Sequence, residues 1–221
     1  MKVSLAIDVF SDVVCPWCYI GTTRLEQALA GLASELEGEV CFHPFFLDPR
    51  TPKTGISVPD MLRKKYGVDP KQVWARAEAA ASDSGLSLDL SLQPMMYPTE
   101  AAHTLLRHAH GKGTQGALAK ALFEAYFQRA QNIADEGVLA SIAAEHGFTG
   151  AEALELTSCR EELELTREEA LGAARGGIRG VPFFIFSGRL AISGAQSVSV
   201  LQAAIRKALE PATPSDAPAS G

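Results

Sequence analysis

The clearest chemistry in the chain belongs to two cysteines two residues apart. Cys15 and Cys18 stand in Ser11-Asp12-Val13-Val14-Cys15-Pro16-Trp17-Cys18-Tyr19-Ile20-Gly21, after an apolar run and before a helical pattern. A cysteine in the first turn of a helix faces unpaired backbone N–H groups and the positive end of the helix dipole. Both favour the thiolate, the form that attacks disulfides. Pro16 suits the same turn, where its missing N–H costs nothing. Cys15, nearest the helix end, is the expected attacking and more exposed thiol. Cys18, one turn further in, is the expected resolving thiol. Half of a zinc site would require a second ligand pair, and the other two cysteines, Cys41 and Cys159, are single and distant. No metal is therefore expected at this pair. Trp17 either walls a substrate site or covers the helix start.

Val181-Pro182 is the second feature. A proline ahead of the apolar run Phe183-Phe184-Ile185-Phe186 cannot donate to a sheet ladder, which is explained if Pro182 begins the strand through a cis peptide bond. The Val181 backbone could then pair with an extended substrate as an added strand. Ser193-Gly194-Ala195-Gln196 precedes the last helical pattern and reads as an N-cap. Gly194 also offers a place for the carboxylate of a glutathione-like thiol. Asp12 either caps the chain entering the helix, the favoured reading, or accepts a proton near the thiols. His103, His108 and His110 share one helical segment, but the five-residue step from His103 to His108 does not put them on one face. They form no metal set, and His103 reads as a helix-face histidine. Cys41 reads as a small buried hydrophobe and Cys159 as a silent thiol.

These residues need elements to position them. Val3 to Phe10 reads as a buried central strand, Pro16 to about Leu36 as a helix and Glu39 to Leu47 as a second strand, with Gly38 the stop between. Strand, helix and strand in that order form a βαβ unit with parallel strands. After the Pro/Gly-punctuated stretch Asp48 to Pro59, the chain turns Ala- and Leu-rich. Helices are expected over 59–67, 70–82, 98–110, 114–130, 135–146 and 151–156, each with a start or stop signal nearby. Another helix covers 160–175. A hairpin follows over 181–186 and 190–192, turning at Ser187-Gly188-Arg189, and a final helix runs over 195–209. The expected fold class is α/β, a thioredoxin-like fold with a large helical insertion in the order β-α-β then α-β-β-α. Residues 1–50 and 157–210 form the thioredoxin-like domain and 51–156 the inserted helical subdomain. Residues 211–221, rich in Pro, Ala and Ser, form a disordered tail.

Composition narrows the function further. The 221 residues are 47% apolar and carry a net charge of −6, which suits a globular protein and gives no field for nucleic acid. No apolar run approaches the ~20 residues that cross a bilayer, so no membrane partner is expected. The N-terminus has too short an apolar core for a signal peptide, and the expected compartment is the cytoplasm. In a reducing compartment a CxxC is redox-active or metal-binding sooner than structural.

On these residues the chain resembles the DsbA-like thioredoxin superfamily, in particular its FrnE-type branch, through most of residues 3–209. The resemblance rests on Ser11 to Gly21, Pro44-Phe45-Phe46-Leu47-Asp48-Pro49 and Lys65-Tyr66-Gly67. It continues in Ala102-His103, Leu122-Phe123-Glu124-Ala125-Tyr126-Phe127, Gly180-Val181-Pro182-Phe183-Phe184 and Ile192-Ser193-Gly194-Ala195-Gln196. It implies a redox-active Cys15–Cys18 pair, a cis bond before Pro182 and thiol–disulfide oxidoreductase or isomerase activity. No cofactor beyond the Cys15–Cys18 disulfide is implied, with glutathione a candidate co-substrate. The partners would be protein or small-molecule thiols and disulfides, and a homodimer is one option for the assembly. Pro98 stands where relatives tend to carry asparagine, which removes a polar substrate contact there. The alternative is a glutathione-dependent isomerase or transferase resembling hydroxychromene-carboxylate isomerase of the kappa class. Those proteins use a serine where this chain has Cys15.

Overall fold

The computed structural model describes residues 2–211, so the expected tail lies outside the described residues but for its first position. β1 (Val3–Ser11) leads through a short loop into α1 (Pro16–Ala30), and β2 (Leu36–Pro44) returns parallel to β1 with Val3 opposite Leu36 and Ser11 opposite Pro44. The helix therefore ends earlier and the strand starts earlier than periodicity indicates. Leu32 and Leu36 keep the spacing of the helix's apolar face and are both buried, but they reach the core from a turn and from the first residue of a strand. Three-to-four spacing cannot distinguish these backbones when the side chains end in one core. Gly38 is not a stop. It lies within β2 opposite Leu5, where a Cβ would come 2.9 Å from Leu29 Cδ2.

A short antiparallel pair, β3 (Ile56–Ser57) and β4 (Met95–Met96), was not expected from sequence; two residues are too few to show alternation. It brackets α2 (Val58–Tyr66) and α3 (Pro70–Ser82). The chain continues through α4 (Glu100–Gly111), α5 (Gln115–Phe127), α6 (Glu136–Ala144), α7 (Gly150–Ser158) and α8 (Arg160–Arg175). β5 (Phe183–Phe186) runs antiparallel to β1 and pairs with β6 (Leu190–Ser193), and α9 (Val198–Leu209) closes the order. The sheet order is β2-β1-β5-β6, the mixed sheet of a thioredoxin-like fold. Ser197, not Ser193, caps α9 by accepting from the Val200 amide.

Two apolar clusters hold the molecule together. One joins Leu5, Ile7 and Val9 of β1 to Leu25 and Ala28 of α1, to Phe184 and Phe186, and to Leu201 and Ile205 of α9. The other gathers Leu105, Leu118, Leu122, Phe123 and Leu139 from the helices and Ile133 from the α5–α6 connection, together with Val13, Val14, Cys15, Cys18, Tyr19 and Ile20. The loop and first turn that carry the cysteines thus pack among the helices. Gln115 ties the helices to the sheet edge: the Phe42 amide donates to its Oε1 at 2.8 Å, and its Nε2 donates to the Phe42 carbonyl at 2.9 Å. With both backbone groups of Phe42 met, the buried amide stands in for a further strand on that side of β2.

Candidate active site

The Cys15 amide donates to the Asp12 carbonyl at 3.0 Å, a turn that places Cys15 as the first flanking residue of α1 with Pro16 just inside. No side chain caps this end, and the Cys18 and Tyr19 amides donate to the Cys15 carbonyl at 3.0 and 3.2 Å. Both thiols are buried, Cys15 at 5% and Cys18 at 0% exposure, so the expected order of exposure holds by a narrow margin. Their surroundings differ more. Cys15 lines a cavity of about 710 Å³ and Cys18 does not. Burial pushes the Cys18 thiol well above the ordinary cysteine range. The hydrogen bond and charge of Cys15 add to the rise, the Asp12 backbone opposes it, and the Asp12 carboxylate adds to it again.

The Val181–Pro182 bond is cis, and the Val181 carbonyl lies 4.0 Å from Cys15 Sγ on the cavity wall. Pro182 packs on the first turns of α1, where a Cβ on Gly21 would come 2.7 Å from its Cγ. Gly194 stands apart from the cavity lining. Its amide donates to the Pro182 carbonyl at 2.8 Å and its φ is +80°, so it secures the cis-proline loop from behind and is not placed to receive a carboxylate beside Cys15. Trp17, 36% exposed, also lines the cavity.

Asp12 is not a cap. It is 1% exposed, its Oδ2 accepts from the Leu47 amide at 2.8 Å, and its Oδ1 lies 3.5 Å from His103 Nε2. His103 is itself 2% exposed and packs on Phe46. Asp12 Oδ1 and His103 Nε2 are buried without a hydrogen-bond partner and face one another at ion-pair distance. Sequence reading missed this pair because its members lie 91 positions apart, although Asp12 and His103 each fall in a stretch that carried the family resemblance.

The remaining cavity wall was also missed. Met61, Leu62, Trp74 and Phe127 line it from the helices and Met96 from β4, with Arg50 and Lys65 as basic members. Apolar positions on Ala/Leu-rich helices read as core, and periodicity does not show which of them border a void.

Comparison with known proteins bears on the family and the fold. Residues 6–206 match the DSBA-like thioredoxin domain family. The chain belongs to that family. It is 29% identical over 202 residues to the uncharacterized protein YwbO of Bacillus subtilis (strain 168), covering 90% of this chain and 94% of the relative. A crystal structure described as a probable DsbA oxidoreductase from Streptomyces coelicolor superposes with a TM-score of 0.84 at 30% identity, over 95% of this chain and 92% of the other. The cytosolic disulfide reductase DsbM from Pseudomonas aeruginosa, solved with GSH, shares the fold at a TM-score of 0.66 and 18% identity, over 92% of this chain and 98% of that one. No helix among the described residues of this DSBA-like chain is long and apolar enough to cross a membrane.

Proposed function

We propose that this DSBA-like protein is a cytoplasmic thiol–disulfide oxidoreductase of the FrnE type, with Cys15 as nucleophile and Cys18 as resolving thiol. The observation that carries the reading is the division between the two sulfurs: Cys15 borders the cavity, while Cys18 is sealed behind it with its thiol form favoured. The Cys15 thiolate attacks one sulfur of a substrate disulfide. The substrate S–S bond breaks, its electron pair leaves on the second sulfur, and a mixed disulfide forms on Cys15. Cys18 then gives its proton to Asp12, whose carboxylate is among the charges acting on that thiol, and attacks Cys15 Sγ. The first substrate sulfur departs as a thiolate, leaving a Cys15–Cys18 disulfide that two glutathione molecules would reduce in turn.

The substrate would present an apolar or aromatic group to Trp17, Trp74, Met61 and Phe127 and an extended backbone to Val181. In this reading residues 1–50 and 157–210 supply the redox pair, Trp17 and the strand edge, while 51–156 supply the rest of the apolar wall.

Reduction of insulin by the purified chain tests the proposal. Cys15→Ser is expected to abolish it, and unchanged activity in that variant would overturn the nucleophile assignment. Cys18→Ser is expected to accumulate mixed disulfides on Cys15, visible by mass spectrometry and cleared by reductant. Their absence would remove the resolving role.

A further inference from the structure

A second group of ligating side chains lies on the other face of the sheet and borders no part of the cavity. In the parallel β1–β2 register Asp8 stands opposite Cys41, and His43 follows two residues on. Period-two geometry puts Cys41 and His43 on one face of β2. Ile7 and Val9 of β1 and Val40 and Phe42 of β2 pack on the α1–α9 side, so Asp8, Cys41 and His43 share the opposite face. Asp8, Cys41 and His43 are all half-buried, and their ligating atoms lie within 4.8 Å of one another. Cys41 is therefore not the small buried hydrophobe that its place in a strand suggests.

We propose that Asp8, Cys41 and His43 form a binding site for a divalent transition-metal ion, Zn²⁺ foremost. One oxygen, one sulfur and one imidazole nitrogen match zinc's donor preferences, whereas Mg²⁺ and Ca²⁺ would not take the thiolate. His43 Nε2 lies 2.8 Å from Asp8 Oδ1, and His43 Nδ1 lies 2.9 Å from Glu169 Oε1 on α8. A carboxylate on the second ring nitrogen is the usual means of fixing a metal-binding imidazole, so Glu169 leaves Nε2 as the ligating atom. The Phe10 ring stacks on His43 at 4.8 Å and 22°, which fixes the plane of the ring.

An ion-pair network needs only Asp8, His43 and Glu169, whereas the Cys41 thiol adds a third converging donor atom of a kind that zinc prefers. Three protein ligands leave a fourth position for water. The ion would pin β1 and β2 together, with Glu169 extending that tie to α8.

Cobalt titration of the full chain carrying Cys15→Ser and Cys18→Ser, which removes the competing thiols, tests the site. One equivalent of Co²⁺ is expected to give a thiolate-to-cobalt charge-transfer band that Zn²⁺ displaces. Adding Cys41→Ser is expected to abolish the band and Cys159→Ser to leave it, while Glu169→Gln weakens binding by about tenfold or more. Absence of the band under excess Co²⁺, or a band that survives Cys41→Ser, would overturn the proposal. A second measurement needs no substitution: Zn²⁺ is expected to slow alkylation of Cys41 in the unaltered chain, followed by peptide mass. Equal alkylation with and without Zn²⁺ would overturn it independently of how any variant folds.

Discussion

The two apolar cores divide α1 between them, and the division separates holding the fold from presenting the chemistry. The second half of the helix, through Leu25 and Ala28, belongs with the sheet and α9. The first turns, through Cys18, Tyr19 and Ile20, belong with the helices, where the Tyr19 ring stacks on Phe123 at 5.2 Å and on Phe127 at 6.0 Å. The sheet core sets where the helix starts. The helical core sets what surrounds the sulfur at that start. Side chains of α5 can thus alter the surroundings of Cys18 without altering the strands of the sheet.

The sharpest test of this division removes one ring from each core. Phe123→Ala and Phe184→Ala each empty a fully buried site and are expected to cost about 3–5 kcal/mol in denaturant unfolding. Their effects on the thiols should differ: Phe123→Ala speeds alkylation of Cys18 in the folded protein, while Phe184→Ala acts mainly on stability. Equal alkylation in both variants would erase the distinction. The tie between the cores comes next. Gln115→Ala strands the amide and carbonyl of Phe42, with an expected loss of about 2 kcal/mol and faster hydrogen exchange along β2. Unchanged exchange there would show that the edge does not depend on α5.

Gly21→Ala pushes a methyl group toward Pro182 at the seam between the first turns of α1 and the cis-proline loop. About 1 kcal/mol of overpacking is expected, together with slower insulin reduction because the Val181 carbonyl moves relative to Cys15. A loss of stability with full activity would detach that loop from the site. The smallest effect concerns pH. His108 and Arg107 on α4 bond Glu162 on α8 and hold its carboxyl below the usual glutamate range. A carboxylate whose folded pKa is depressed stabilises above its unfolded value, roughly 4.3, and loses that contribution as pH falls through the folded one. Glu162→Gln should therefore lower stability slightly at neutral pH and flatten its decline below about pH 4. An unchanged acid limb would show that this tie between α4 and α8 carries nothing.

The βαβ start and the order of the later strands are legible in the sequence, because each is announced locally by an apolar run or a helix-start proline. The cis bond before Pro182 needed the inferred fold and the family resemblance beside the proline that heads the strand. The end of α1 and the start of β2 are not legible, since Leu32 and Leu36 serve the same core from a turn and a strand. Ser193-Gly194 reads as a cap because its residue types suit one, yet the cap falls four residues later at Ser197 and Gly194 serves Pro182. Asp12 has a capping residue's type and place, but the fold turns its carboxylate inward to Leu47 and His103.

By itself, the sequence determined that a thiol pair starts a helix behind a central strand, because dipole, proline and spacing act within a few residues. Tertiary structure alone decided that Cys15 borders a cavity while Cys18 does not, that Asp12 meets His103, and that Asp8, Cys41 and His43 converge. Burial and electrostatic environment are set by side chains distant in the chain, and strand register determines which of them face one another.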